Sequence, residues 1–335
     1  MNIIQYKDND LLNKPQKDNA PVYALEDKPT ALTKQELMAK FPKVFGEGVG
    51  QLDGVYKIRI DETVQPVQHA PLRIAVALRP KLKEALDDLV AQDVIAPVTT
   101  PTEWISSIVA VPKKNGKLRI CLDPKDLNRA IQREKYQLPT VEDIATRLHG
   151  AKVVTMLVVR NGFWHVSLEE QSIYLTSFQI PFGRYRWKRM PFGISSAPEV
   201  FQRKMHEFIE GLDGIEVVAD VFIAVGHGDT FEDATRDHDK HPLAFIKRCE
   251  ERNIRLNDEK LKLRQSEVLF IGHMATDNWL RVDPATVRAV VKMPTPTDKA
   301  AVQRLLGVAQ YIAKFLLHLS DITKPLRELT KSDVL

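Results

Sequence analysis

The sequence has little cysteine, no long apolar run and almost no net charge. Two thiols in 335 residues, Cys121 and Cys249, stand too far apart for a disulfide framework and match no zinc-ligand spacing. That predicts a reducing, intracellular compartment, cytoplasmic or nuclear. No apolar run reaches the roughly 18 residues a membrane span needs. The stretch from Met1 to Asp8 lacks the apolar centre of a signal peptide. Lys and Arg number 48 against 44 Asp and Glu, a formal charge of +4. This excess is compatible with a nucleic-acid partner but too small to argue for one. What is present is an ordinary globular composition, 44% hydrophobic and 27% charged, in a chain long enough to bury a large core and divide into two or three subdomains.

Periodicity divides the chain. Residues 1–32 are polar and aperiodic and read as a flexible leader. A short helix is expected over 33–45, and Val55 to Ile60 alternates like a strand. Leu82, Leu86, Leu89 and Val90 share one helical face between Arg79 and Asp93, with Pro80 in the first turn. Ser106 to Cys121 is a hairpin turning at Asn115-Gly116, with Lys113, Lys114 and Lys117 crowding the turn. Val141 to His149 is a helix ended by Gly150. Strands follow at 153–159, 163–168, 173–180 and 184–188. Ser196 and Glu199 have the spacing of a capping box for a helix to Glu210.

A hairpin over 217–225 carries Asp220 at its tip. The helical stretch 230–252 contains Pro242, which costs a helix interior roughly 3 kcal/mol, so a later start or a damaged helix is expected. Asp237, His238, Asp239 and His241 fit no zinc pattern and read as a solvated helix start. Val268 to Val282 reads as two strands turning at Asp277-Asn278, followed by helices over 284–292, 299–318 and 320–331.

Several motifs agree in order and spacing. They are Lys117-Leu118-Arg119-Ile120-Cys121-Leu122-Asp123-Pro124-Lys125-Asp126-Leu127-Asn128, then Tyr185 through Met190-Pro191-Phe192-Gly193 to Phe201-Gln202, and Phe270-Ile271-Gly272-His273. The C-terminal run from Val302 to Phe315 and the pairs Pro325-Leu326 and Leu329-Thr330 also fit. On these residues the chain resembles the reverse transcriptase domain of a gypsy-type LTR retrotransposon polyprotein, over roughly 35–332. The resemblance implies an α+β right-hand polymerase fold with fingers, a ferredoxin-like palm and connection-like C-terminal helices. It places the fingers and the start of the palm in 33–150, the palm in 151–265, and a primer-grip hairpin with a helical connection in 266–335. The implied partners are an RNA or DNA template-primer and a deoxynucleoside triphosphate. The implied chemistry uses two Mg2+ ions held by three aspartates.

Laid on this sequence, the three carboxylate positions fall at Val158, Asp220 and Val221; only Asp220 keeps the acid. Two-metal phosphoryl transfer needs hard oxygen ligands around cations about 4 Å apart, and valine offers none. Alone, each valine reads as an ordinary core residue, and only the flanking motifs give the pair meaning. Natural decay and deliberate inactivation, each a one-base change per codon, fit equally. The resemblance further assigns Lys117 and Arg119 to the triphosphate and Phe163 to an aromatic gate under the sugar. Phe192 and Gly193 go to a nucleotide-side loop where backbone approaches closely, and Gly272 and His273 to the primer end. Bland alternatives are a solvated hairpin, a core aromatic beside Trp164 and a tight strand crossing.

Three functions follow. The first is a reverse transcriptase domain by descent, inactive in this copy, with Asp220 at best a weak metal ligand. The second is a retained template-primer binding module or a host-adopted non-enzymatic protein. The third is an active enzyme using a displaced carboxylate such as Asp123. No protease, RNase H or integrase region is visible, as expected for a fragment, a degenerate copy or a trimmed one.

Overall fold

The computed structural model describes residues 32–71, 74–112, 116–275, 280–316 and 318–331. The leader up to residue 31, Lys113, Lys114 and the turn at Asp277-Asn278 lie outside the described residues. Thr33 and Glu36 form a reciprocal cap that starts α1 (Lys34–Lys40). The single helix expected over 33–45 is two, because Pro42 pushes Phe41 out of the helical region (φ −124°) before α2 (Pro42–Phe45). Only β1 (Val55–Tyr56) of the expected strand 55–60 is extended in a ladder, since its partner offers just Ser167 and Leu168. In α3 (Arg79–Ala91) Leu82, Leu86 and Leu89 are buried, but Val90 is exposed.

Then come β2 (Ile95–Pro97), the hairpin β3 (Ser107–Pro112) and β4 (Leu118–Asp123), α4 (Lys125–Ala130), and α5 (Val141–Leu148), capped by Thr140 with Asp143. After β5 (Val153–Val158) the strand expected at 163–168 is mostly a 3-10 turn, Gly162–His165. Asn161, at φ 52°, reverses the chain into it and leaves only β6 (Ser167–Leu168) extended. The start of the strand expected at 173–180 is helical, α6 (Glu170–Leu175), whose Ser172 hydroxyl accepts from the Ile58 amide at 2.8 Å. Strands β7 (Phe178–Ile180) and β8 (Gly183–Trp187) follow.

The capping box expected for α7 (Ala197–Ile209) does not form. Ser196 is itself helical and its hydroxyl meets the Tyr56 hydroxyl at 3.4 Å, while Glu199 turns to Arg133. After β9 (Ile215–Val218) and β10 (Val221–Gly226), α8 (Phe231–Glu251) runs unbroken through Pro242, neither late nor damaged. Burial of Ala234, His238, Phe245, Ile246 and Cys249 along one face outweighs the missing backbone bond.

The expected solvated start to that helix is wrong for its histidines. His238 is buried, with its Nε2 2.8 Å from Thr155 Oγ1, and the buried His241 donates Nδ1–H to the Val225 carbonyl at 2.7 Å. Beyond β11 (Lys262–Gln265) the region 268–282 holds three strands rather than two. Gly272, at φ 77°, adds a reversal between β12 (Val268–Phe270) and β13 (His273–Ala275), ahead of β14 (Leu280–Val282). The C-terminal helices are α9 (Pro284–Val291), α10 (Lys299–Tyr311) and α11 (Leu319–Glu328). Thus α10 stops well before residue 318, and a 3-10 turn at Ala313–Phe315 follows it.

The centre is a four-stranded antiparallel sheet in the order β11-β5-β10-β9, with α7 and α8 packed on it. Side chains alternate across a strand, and that period sorts them into two cores. Leu157, Phe222 and Ala224 point to the side of Phe208, Phe245 and Ile246. Val154, Met156, Val158, Ile223 and Val225 point to the other side, against Ile144 and Leu148 of α5 and against Val268, Phe270 and Leu280. Both faces of β5 are therefore buried, which explains its unbroken apolar run.

Candidate functional site

The tip of the β9–β10 hairpin is a two-residue turn, Ala219-Asp220. Ala219 sits at φ 52°, a left-handed conformation that costs an L-residue about 1 kcal/mol or more. Gln202, fully buried on α7, holds it there. The Gln202 Oε1 accepts from the Ala219 amide at 2.7 Å, and its Nε2 donates to the Val217 carbonyl at 3.0 Å. The Asp220 carbonyl accepts from the Val159 amide at 2.8 Å, tying the tip to the end of β5. Gly162 closes against it: a Cβ there would lie 2.9 Å from the Phe201 ring and 3.3 Å from the Asp220 Cβ. Asp220 is half-buried.

Val158 and Val221 meet here. They face each other directly across the β5–β10 ladder, one residue from Asp220. Val158 is 3% exposed and Val221 is half-buried, and both belong to the apolar cluster that includes Phe270 and Phe315. Among the described residues no group of three or more His, Cys, Asp or Glu is placed to hold a metal ion. The donor set at the hairpin, one carboxylate between two hydrocarbon side chains, does not fit a pair of Mg2+ ions. Asp123, the candidate substitute, ends β4 and pairs with Lys125 at 3.5 Å.

A cavity of about 470 Å³ opens between α3, β4 and the 161–164 turn, lined by Lys117, Arg119, Phe192, Asn161, Lys81 and Glu84. The Arg119 guanidinium lies 5.5 Å from the centroid of the Phe192 ring, a cation–π arrangement that keeps the charge facing the cavity. Phe163 packs beside the cavity rather than lining it, with its ring centroid 5.2 Å from Phe192 and 5.4 Å from Phe201. Gly193 takes φ 112°, and any Cβ would overlap the Leu122 carbonyl oxygen, so glycine is required here by packing within the chain, of the loop against the end of β4. Asn128 fixes the same loop: its Oδ1 accepts from the Ser195 amide and its Nδ2 donates to the Gly193 carbonyl, both at 2.9 Å.

Gly272 and His273 lie apart from the cavity, at the β12–β13 turn. A Cβ on Gly272 would overlap the Tyr311 hydroxyl. The His273 ring stacks on Tyr311 at 5.7 Å and packs on Phe315 at 5.5 Å. Burial, with Lys314 nearby, lowers its pKa below the usual histidine value. The imidazole thus serves the packing of α10 and the turn that follows it. Sequence reasoning missed the roles of Gln202 and Asn128. Both stand inside quoted motifs, and a buried amide beside an obligatory turn was the available signal.

A four-stranded antiparallel sheet with two helices, beside a second hairpin and a cavity lined by both cations and carboxylates, belongs to an α+β right-hand polymerase fold. Residues 111–275 match the family model described as reverse transcriptase (RNA-dependent DNA polymerase); the chain carries a reverse transcriptase domain of the retroelement polyprotein kind. It is 28% identical over 309 residues to the retrovirus-related Pol polyprotein from transposon opus of Drosophila melanogaster, covering 88% of this chain and 30% of that protein. It is 32% identical over 230 residues to the enzymatic polyprotein of Figwort mosaic virus, covering 66% of this chain and 33% of the relative.

The chain therefore spans about a third of the length of these relatives. A foamy viral protease-reverse transcriptase in complex with double-stranded DNA superposes with a TM-score of 0.79 at 23% identity, covering 88% of this chain and 51% of that one. That likeness establishes the fold. No described helix is long and apolar enough to cross a membrane.

Proposed function

We propose that this chain is the reverse transcriptase domain of a gypsy-type retrotransposon that holds a template-primer but does not extend it. The supporting observation is the register that sets Val158 opposite Val221, one residue from Asp220. In the resemblance these are the three metal-binding carboxylate positions. In-line phosphoryl transfer needs two cations to stabilise the attacking and leaving oxygens. One aspartate offers too few oxygens and too little charge for two. The valines instead join a buried apolar cluster, which explains how the fold tolerates them.

Binding does not need those carboxylates. Lys117 and Arg119 line a cavity suited to a triphosphate, with Phe192 as its aromatic wall and Phe163 packed behind that ring. Gly272 and His273 place a turn for the primer end. In this reading 33–150 supplies the fingers and the start of the palm, 151–265 the palm and 266–335 the grip and connection. Mg2+ is the family's cofactor and is not held productively here.

The test has two arms. Primer extension on an RNA template with Mg2+ or Mn2+ is expected to give no product, and processive synthesis would overturn the inactive reading. Gel-shift titration is expected to show template-primer binding that weakens steeply with salt, as phosphate contacts release counterions. No binding at low salt would overturn the retained-cleft reading.

A further inference from the structure

The hold of Gln202 on the hairpin tip depends on a second residue. Both hydrogens of the Gln202 amide are committed: Nε2 donates to the Val217 carbonyl at 3.0 Å and points the other hydrogen at His206 Nε2, 2.9 Å away. The amide cannot flip, because its Oε1 must accept from the Ala219 N–H. His206 Nε2 is therefore obliged to be an acceptor. That fixes the tautomer: Nδ1 carries the proton and donates to the Tyr136 hydroxyl at 2.6 Å. A continuous chain runs from Tyr136 through His206 and Gln202 to the amide of Ala219, the residue held in a left-handed turn beside Asp220.

We propose that His206 is a positioning residue for the Asp220 turn: its neutral, Nδ1-protonated ring locks the Gln202 amide, and protonation at Nε2 unlocks it. A proton there would face the Gln202 NH2, donor against donor. It would also compete with that NH2 for the Val217 carbonyl. Gln202 would then lose its fixed orientation, and Ala219 its partner.

The surroundings bias the ring toward the neutral form. Burial lowers its pKa below the ordinary value, and Arg147 of α5 adds to this, while Glu216 of β9 and the Val217 carbonyl oppose it. Arg147 and Glu216 are themselves paired at 2.7 Å. Asp143 and Arg147 of α5 line the same shallow surface pocket as His206, so the ring is open to proton exchange with solvent. This inference goes beyond the functional reading above and does not rest on it, since it concerns the turn whether or not any cation binds.

Hydrogen exchange of the Ala219 amide tests it, measured by NMR on the full chain and corrected for the intrinsic pH dependence, with the Phe222 and Ile223 amides as references. In the native chain Ala219 protection is expected to fall about tenfold or more as the pH drops through the titration of the His206 ring, with the references unchanged. His206→Gln supplies an uncharged acceptor, so it is expected to retain protection and remove the pH dependence. Protection in the native chain that is flat with pH, or that falls equally in His206→Gln, would overturn the proposal. Should the variant fail to fold, the native chain still decides: the midpoint of the Ala219 change must coincide with the titration of the His206 ring, and distinct midpoints overturn it.

Discussion

Replacing both Val158 and Val221 by aspartate asks whether the site is intact apart from its charges. Val158 is 3% exposed and faces Val221 across the ladder, so losing its apolar burial costs about 2 kcal/mol. Directly opposed residues place their Cβ atoms about 5 Å apart. Two carboxylates at that spacing repel by about 3 kcal/mol at an effective dielectric constant near 20, before Asp220 is counted. The double variant is therefore expected to unfold about 4–6 kcal/mol more easily than the native chain in EDTA.

Divalent cations reverse the sign of that repulsion. If the restored cluster binds Mg2+ with a dissociation constant near 1 mM, about 10 mM Mg2+ returns about 1.4 kcal/mol. Urea unfolding followed by tryptophan fluorescence, with EDTA and then with Mg2+ or Mn2+, measures both effects. The native midpoint is expected not to move. A native chain stabilised by Mg2+ as strongly as the variant would refute the argument, because a hydrocarbon pair would then be binding the ion. So would a folded double variant indifferent to both cations, because the surrounding geometry would not be that of a metal site.

Three further outcomes are expected. Burial holds the pKa of His165 down to about 4 against 6.5 in the unfolded chain, so the unfolded state takes the proton first. This stability is complete above pH 6.5 and falls away toward pH 4, by about 3 kcal/mol. Denaturant titrations across that range are expected to show a shallower slope in His165→Gln. Gly193→Ala, which drives a methyl into the Leu122 carbonyl at a positive φ, is expected to destabilise the chain by more than about 2 kcal/mol in the same assay. Pro242→Ala restores a backbone donor inside α8 and is expected to stabilise the chain, seen as a higher melting temperature, by up to the roughly 3 kcal/mol an interior proline costs less the lost ring packing.

The chain's own residues settled the larger elements and the family. The leucine face of α3, the α5 helix stopped by Gly150 and the β9–β10 hairpin follow from local period, cap and turn signals, which depend on neighbours three or four residues away; the extent of α7 was legible too, although the cap expected to start it does not form. The positions of Val158, Asp220 and Val221 came instead from the family resemblance carried by the flanking motifs. Tertiary structure decided what local patterns cannot encode. It turned 162–165 into a 3-10 turn through a left-handed Asn161, and it made 170–175 helical through contacts with a segment more than a hundred residues away. It kept α8 whole across Pro242 because a buried face outweighs one missing bond. It sank His238 and His241 where charge alone suggested solvent. Above all, it set Val158 opposite Val221 and joined Gln202 to His206, since register and side-chain relays are properties of strands and helices already packed together.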